Sequence, residues 1–412
     1  MNIQTAIIII DFLLWLIIAA NVTYVLFFAL ASLLPKKKNL PSSLLHHPSF
    51  LVLIPAYHED AVIVNTVESF LQQDYPKDLY QLCIISDHME ATTNEQMAAL
   101  PITLLQPTFE KSSKAKALQY AISAISHQPS VIYDFVVILD ADNIVAQDFL
   151  SHLSQIVRKD IAIQCHRTAK NENNDIAALD GLSEEINNSI FRRGHNRIGM
   201  SSALIGSGMC FDYNWFKANV TKLNTAVEDR ELEALLMKQG IHIHYAEDIL
   251  VMDEKVSNRD NFQRQRLRWM TGQVQALFQM LPDVPKAIIT GNINYIDKTI
   301  QQALIPRSIL LVITPILCII ATLTSFILYH SSYIINSYSS LYHLKWWMLW
   351  GLLIFALIIS IPKKLRKKTL IKKISSLPIL TWHMMRNISQ IDKNDTVFIH
   401  TEHGKSSKYR NG

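Results

Sequence analysis

Phe135-Val136-Val137-Ile138-Leu139-Asp140-Ala141-Asp142 is the stretch on which the fold turns. Five consecutive apolar residues show no alternation, so both faces of the segment are expected to be buried, as in a parallel sheet. The run then stops on carboxylates. Phe50-Leu51-Val52-Leu53-Ile54 stopping at Pro55, and Leu82-Cys83-Ile84-Ile85 stopping at Ser86-Asp87, repeat the pattern. Ile102-Thr103-Leu104-Leu105 is a weaker version of it. Helical spacing fills the gaps at Val62–Gln72 and Lys114–Ile125. Strand–helix alternation predicts an α/β fold with an open, mostly parallel sheet covered on both faces. Ligands of such sheets bind beyond the carboxyl ends of the strands. Asp87, Asp140 and Asp142 are therefore candidates for chemistry.

Outward from this block the chain becomes more apolar. Its 412 residues are 49% hydrophobic and only 18% charged, with a mean hydropathy of +0.14. That composition excludes a disordered chain and directs attention to long apolar runs. Residues 6–34, 308–328 and 346–362 read as membrane-spanning helices. The first exceeds the roughly 20 residues needed to cross a bilayer. No Lys or Arg precedes it, and it is too long for the apolar core of a signal peptide. Lys36-Lys37-Lys38 follows the first run, and Lys363, Lys364, Arg366, Lys367 and Lys368 follow the third. The positive-inside rule places both clusters in the cytoplasm, with a short outer loop near residues 330–345. Trp346, Trp347 and Trp350 suit an interfacial aromatic belt. Residues 48–285 are then expected to form a cytoplasmic domain and 286–307 an interfacial segment.

Residues 363–412 are a basic tail with twelve Lys/Arg against three Asp/Glu. The tail calls for an anionic partner, and the apolar runs favour lipid headgroups over nucleic acid. Leu370–Ile391 mixes apolar and basic residues as an interfacial helix would. The four cysteines, Cys83, Cys165, Cys210 and Cys318, form no CxxC pair and lie in apolar surroundings. A disulfide framework or structural zinc site is not expected, and a reducing compartment fits.

Three constellations remain. Asp140 and Asp142 lie two apart, which in extended chain places both carboxylates on one side and suits a hard divalent cation. The plainer reading is a turn or helix cap. Glu228-Asp229 opens a helical pattern, where acids stabilise the helix dipole or one serves as a general base. In Gln265-Arg266-Leu267-Arg268-Trp269, a guanidinium suits a diphosphate and an indole a sugar face, although a basic amphipathic helix at a membrane has the same composition. His242 and His244 read as an ordinary strand. The chain has no GxxxxGK[ST], HExxH or GxSxG, so P-loop, zincin and hydrolase readings lose their main support.

Taken in order, Pro55-Ala56-Tyr57-His58-Glu59, Asp87, Lys114-Ala115-Lys116-Ala117-Leu118-Gln119, Asp140-Ala141-Asp142, Glu228-Asp229 and Gln265-x-x-Arg268-Trp269 resemble the membrane-bound family 2 glycosyltransferases. Cellulose, hyaluronan and poly-N-acetylglucosamine synthases belong to that group, and the match runs from about residue 50 to 270. The resemblance implies an inverting transferase with a GT-A-like nucleotide-binding fold. It implies that Pro55, Ala56, Glu59, Asp87, Lys114 and Asp140 meet the nucleotide sugar, with Asp87 on the base. Asp142, with Asp140, would hold Mg²⁺ or Mn²⁺. Asp229 would be the catalytic base, and Glu228, Gln265, Arg268 and Trp269 would serve the diphosphate and acceptor. Gly206-Ser207-Gly208 lies where the family has a glycine-rich stretch near the acceptor. The implied partners are a nucleotide-sugar donor, a growing polysaccharide or lipid-linked glycan, and membrane lipid.

The chain departs from the family pattern at Ser86-Asp87-His88-Met89, Val227 and Gln119. Phe398–His403 looks like the gating segment of some members. Three spans are few for a polymer-secreting channel, so processive and single-sugar transfer both stay open. A nucleotidyltransferase would also use Asp140-Ala141-Asp142, and an inactive membrane scaffold would need neither pair. Neither rival gives a role to Glu228-Asp229 together with Gln265-x-x-Arg268-Trp269.

Overall fold

The computed structural model describes residues 3–36, 47–126, 133–171, 174–225, 227–256, 259–331 and 343–365. The tail helix expected at 370–391, the segment Phe398–His403 and most of the outer loop lie outside them. The chain forms two compact units, one of residues 1–35, 185–198 and 304–389, the other of 36–184, 199–303 and 390–412.

The second unit is built on one eight-stranded sheet. Its strands are β1 (Phe50–Tyr57), β2 (Tyr80–Asp87), β3 (Thr103–Leu105), β4 (Phe135–Ile138), β5 (Ile144–Val145), β6 (Ile161–Ala169), β7 (Met209–Asp212) and β8 (His242–Asp253). Their spatial order is β3-β2-β1-β4-β7-β6-β8-β5. The four expected runs are β1 to β4, all parallel. Both their faces are buried, as the lack of alternation requires. Leu51, Leu53, Val136 and Ile138 pack with the helix Lys114–Ser126 on one side. Phe50, Val52, Phe135 and Val137 pack with the helices Ile63–Phe70 and Phe149–Ser154 on the other. Each such side chain contributes roughly 1.5–3 kcal/mol by leaving water. Pro55 lies beyond the last β1–β4 pair, Leu53 with Ile138, so its missing N–H costs no bond on that side.

The sheet is mostly parallel, as expected, and its antiparallel pairings all lie in the other half. β7 runs antiparallel to both β4 and β6, and β5 antiparallel to β8, so the sheet is mixed. β6 and β8 are parallel to each other, with a bulge between Cys165 and His166. Among these strands β8 includes His242 and His244, which sit in it as ordinary strand residues.

The first unit is helical. Ile3–Ala31 and Arg307–Ser331 contain windows, Ile8–Ala31 and Arg307–Phe326, long and apolar enough to cross a membrane. Leu344–Ser360 has 17 residues and packs against both. Trp346 is not in a surface belt as expected. It is 1% exposed, and its Nε1 donates to Asp11 Oδ1 at 2.8 Å, while the Lys345 ammonium pairs with Asp11 Oδ2. An acid in an apolar helix is costly alone, and these two donors explain why Asp11 is tolerated. The chain between Asn188 and Gly194 is a π-helix. There Gly194 is required by space, since a Cβ would stand 2.3 Å from the Phe28 carbonyl oxygen.

Candidate active site

The strand end at Asp140 is a tight turn. Asp140 N donates to Asn143 Oδ1 at 3.0 Å, and Asn143 N to Asp140 O at 3.1 Å. The turn gives the two carboxylates different partners. Asp140 Oδ1 is paired with the Lys114 ammonium, and its Oδ2 lies 4.0 Å from the Arg167 guanidinium. Asp142 is 2% exposed and accepts from Glu254 N at 2.8 Å and Asn143 Nδ2 at 3.1 Å. One carboxylate thus faces cations and the other neutral N–H donors.

Lys114, the first residue of its helix, is the hub. Besides Asp140 it donates to the Gly206 carbonyl at 2.6 Å and lies 3.5 Å from Glu228 Oε1. Burial alone would ease its deprotonation, but Asp140 and Glu228 outweigh that and raise its pKa. Glu228 and Asp229 occupy the first turn of the helix Glu228–Lys238, where the free N–H groups favour acids. Gly206 shows how close they come. A methyl group there would lie 3.8 Å from Asp229 Oδ2, 3.9 Å from Glu228 Oε1 and 4.0 Å from Lys114 Nζ. Burial pushes the Glu228 carboxyl up to about 7, with Asp229 adding to the rise and Lys114 opposing it.

The loop 204–208 is gripped at successive backbone groups. Glu233 accepts from Leu204 N at 2.8 Å, Gln164 accepts from Ile205 N at 2.9 Å, and Arg167 donates to Ile205 O at 3.1 Å. Gln164 Nε2 also donates to Ser207 O at 2.8 Å. Gly206 and Gly208 take φ of +82° and +64°, which suit glycine. Behind Asp140, Arg167 donates to Glu184 at 2.7 Å and lies 3.7 Å from Asp253, and Lys255 pairs with both acids. Each member of this network is compensated, as buried charges must be. Sequence reasoning missed Arg167, Glu184, Asp253 and Lys255, because no short motif joins residues so far apart. The double glycine of 206–208 was the only local signal.

The helix Arg259–Met280 carries Gln265, Arg268 and Trp269. Burial lowers the pKa of Arg268, and the fields of Glu228, Asp140 and Asp229 oppose that. Gly272 explains the close approach of its helix to the acid pair. A Cβ there would stand 2.3 Å from Val227 Cγ1, immediately before Glu228. Trp269 serves a different neighbour, with the Arg266 guanidinium 4.4 Å from its ring centroid. Gln265 Oε1 is buried with no hydrogen-bond partner among the described residues.

Asp87 and Glu59 stand at the neighbouring strand ends. Asp87 is 3% exposed and holds His88 Nδ1 at 2.6 Å. Glu59 N donates to Met89 Sδ at 3.1 Å, tying the two strand ends together. His58 and His88 both take left-handed backbone, φ 53° and 55°, with ring centroids 5.8 Å apart. Strain of this kind, about 1–3 kcal/mol per residue, collects at functional sites. Pro55 and Ala56 are strand residues of β1, and Ala56 is buried.

The donor set suits a hard divalent cation in part. Asp140 and Asp142 offer carboxylate oxygens, yet no cluster of three or more His, Cys, Asp or Glu that would enclose a metal occurs among the described residues. Mg²⁺-type sites use one or two carboxylates and complete the shell with substrate phosphate and water, so two acids fit that use.

A family model, "Glycosyltransferase like family 2", matches residues 47–272. No curated protein matches the chain. Among solved structures, a mannosyltransferase from Pyrobaculum calidifontis in complex with GDP-Man and Mn²⁺ superposes with a TM-score of 0.55 at 15% identity, covering 91% of this chain and 97% of that one. Glucosyl-3-phosphoglycerate synthase from Mycobacterium tuberculosis gives a TM-score of 0.35 at 18% identity, covering 52% and 74%. TarS 1–349 from S. aureus gives 0.38 at 14%, covering 83% and 89%.

Proposed function

This chain belongs to glycosyltransferase family 2, and from that premise we propose that it is a membrane-anchored, inverting glycosyltransferase. It moves a hexosyl or N-acetylhexosaminyl unit from a nucleotide sugar to a polysaccharide or lipid-linked glycan at the cytoplasmic face. The observation that carries this reading is the convergence of Lys114, Glu228 and Asp229 on Gly206, with Asp140 paired to Lys114. Strand-end groups suited to a donor there adjoin a carboxylate pair suited to an acceptor.

In this reading Asp229 accepts the proton of the attacking hydroxyl. Lys114 and Arg268 place positive charge where the departing diphosphate gathers negative charge. Asp87, fixed by His88, faces the nucleobase. Asp142 and Asp140 would hold Mg²⁺ or Mn²⁺, which when bound offsets charge on the diphosphate. The mannosyltransferase that shares the fold is described with Mn²⁺ and a nucleotide sugar, which supports that choice. The helices Ile3–Ala31 and Arg307–Ser331 serve as anchors, and nucleotide sugars are cytoplasmic, so the sheet unit faces the cytoplasm.

The test is incubation of membranes bearing the protein with a panel of nucleotide sugars, followed by sizing of the product and analysis of the leaving group. Release of free nucleoside diphosphate is expected. Release of pyrophosphate would instead identify a nucleotidyltransferase, and absence of both transfer and metal-dependent donor hydrolysis would leave a scaffold. A ladder of products separates processive from single-sugar transfer.

A further inference from the structure

The helix Ile293–Ala303 turns its polar side inward. Asp297, Lys298, Thr299, Gln301 and Gln302 are buried, Lys298 wholly so. Asn294 Oδ1, one turn before Lys298, accepts from Ser201 N at 2.8 Å. The Gln302 side chain takes the Arg230 guanidinium, and its carbonyl accepts from Gln273 Nε2 at 3.0 Å. The helix thus touches the start of the segment 201–208 and the helix Glu228–Lys238 that presents Asp229. A surface helix ordinarily turns its apolar stripe to the core, so these inward polar groups call for another account.

Glu233 supplies one. It is 3% exposed, and its Oε2 accepts from Leu204 N at 2.8 Å. Burial pushes its carboxyl up, and the field of Lys298 is the chief influence against that. Burying a carboxylate is costly, and a neutral Gln would satisfy Leu204 N with less desolvation. What the carboxylate adds is a charge-assisted bond, shorter and roughly twice as strong as a neutral one. Such a bond fixes position.

Glu233 follows Asp229 by four residues, so both side chains lie on one side of their helix. The loop that Glu233 holds returns to the same helix. Lys114 donates to the Gly206 carbonyl at 2.6 Å and lies 3.5 Å from Glu228 Oε1, and a methyl group on Gly206 would lie 3.8 Å from Asp229 Oδ2. A ring of contacts therefore runs from Glu233 through Leu204, Ile205 and Gly206 to Lys114 and Glu228, and back along the helix. We propose that Glu233 is a positioning residue for the acceptor: by holding Leu204 N it keeps the loop 204–206 at one distance from Asp229, so that the acceptor hydroxyl and not water is held against that carboxylate. Glu233 acts through the loop and does not touch the sugar. The proposal rests on the reading of Asp229 as the base. In transfer the acceptor oxygen bonds to the anomeric carbon, the bond to the diphosphate breaks, and the acceptor proton passes to Asp229. In hydrolysis water takes the place of the acceptor.

The experiment gives membranes bearing the full chain a panel of nucleotide sugars labelled in the sugar, among them UDP-glucose, UDP-N-acetylglucosamine and GDP-mannose. Label in lipid- or polymer-bound material measures transfer, and free labelled sugar measures hydrolysis. Glu233→Met keeps the size and removes the oxygen that Leu204 N bonds. The ratio of transfer to hydrolysis is expected to fall about tenfold to a hundredfold, as a misplacement of roughly 1 Å can cost, while donor KM stays within a few-fold. Glu233→Gln, which keeps an oxygen without the charge, is expected to recover most of the ratio. A merely structural Glu233 would lower the amount of active enzyme, which scales both products alike. An unchanged ratio in Glu233→Met would therefore overturn the proposal, as would a donor KM that rises in step with the loss. If Glu233→Met does not fold, Glu233→Asp, whose carboxylate is withdrawn by one methylene, is read in its place with the same expected fall. Asp229→Asn separates the proposal from its premise. Full transfer by that variant, or no transfer by the parent from any donor, would overturn both. Loss of transfer in Asp229→Asn beside an unchanged ratio in Glu233→Met would overturn the positioning role alone.

Discussion

The half of the sheet made of β1, β2, β3 and β4 and the half made of β7, β6, β8 and β5 build their parts of the site by opposite means. In the first half each functional group sits where its own strand ends: Glu59 after β1, Asp87 at the end of β2, Asp140 after β4. In the second half the groups come from outside the strands. The loop 204–208 is held by side chains from β6 and from the helix Glu228–Lys238, and the helix Arg259–Met280 approaches through the notch at Gly272. Under the proposed function this difference would make donor binding and acceptor activation separable. The first would rest on strand ends, the second on packing between distant segments.

The largest expected effect would break the two functions apart. Asp229→Asn keeps size and removes the base, so turnover should fall by ~10²–10⁴ while the donor KM stays within a few-fold. Parallel losses in both parameters would mean that Asp229 belongs with the donor half. Next in size is Asp142→Asn, which keeps an acceptor for Glu254 N but removes the charge. Donor KM in Mn²⁺ should rise by about tenfold or more, and chelation should abolish activity in the parent. Full activity in excess chelator would remove the cation from the mechanism.

A third substitution sharpens the packing side of the contrast. Gly272→Ala would place a Cβ 2.3 Å from Val227 Cγ1. Overpacking of this kind costs ~1–3 kcal/mol, seen as a lower melting temperature and reduced turnover. Adding Val227→Ala makes room and should restore most of both, and a double variant no better than Gly272→Ala would refute the contact. The smallest effect is in pH. The Glu228 carboxyl is raised to about 7 from an ordinary value of 4.5. A raised carboxyl favours the folded state while protonated, so this contribution is whole below pH 4.5 and is lost as pH rises through about 7. Melting temperature should therefore decline over that window, and Glu228→Gln should flatten the decline.

Much of this is legible in the sequence. β1, β2 and β4 announce themselves because strands buried on both faces are continuous apolar runs, and each ends on a residue that the site then uses. The helix start at Lys114 and the acid pair at Glu228-Asp229 were equally local. β5, β6 and β7 were not readable. Met209–Asp212 has four residues and β5 has two, too short for any period to declare itself. β6 mixes apolar residues with Gln164 and Arg167, whose polar groups find partners in the loop 204–208, Glu184 and Asp253, far off in sequence.

Sequence by itself determined the α/β class, the apolar helices and the identity of the acids and cations, because these follow from periodicity and composition within a window of a few residues. It also paired Asp140 with Asp142, on the premise of extended chain. Only the tertiary structure decided that a turn at 140–143 sends one to Lys114 and the other to Glu254, and that Trp346 lies inside against Asp11. It alone decided that the helix Ile293–Ala303 keeps its polar side inward. A helical pattern records which residues share a face, but which face meets the core depends on what the rest of the chain offers to bond with it.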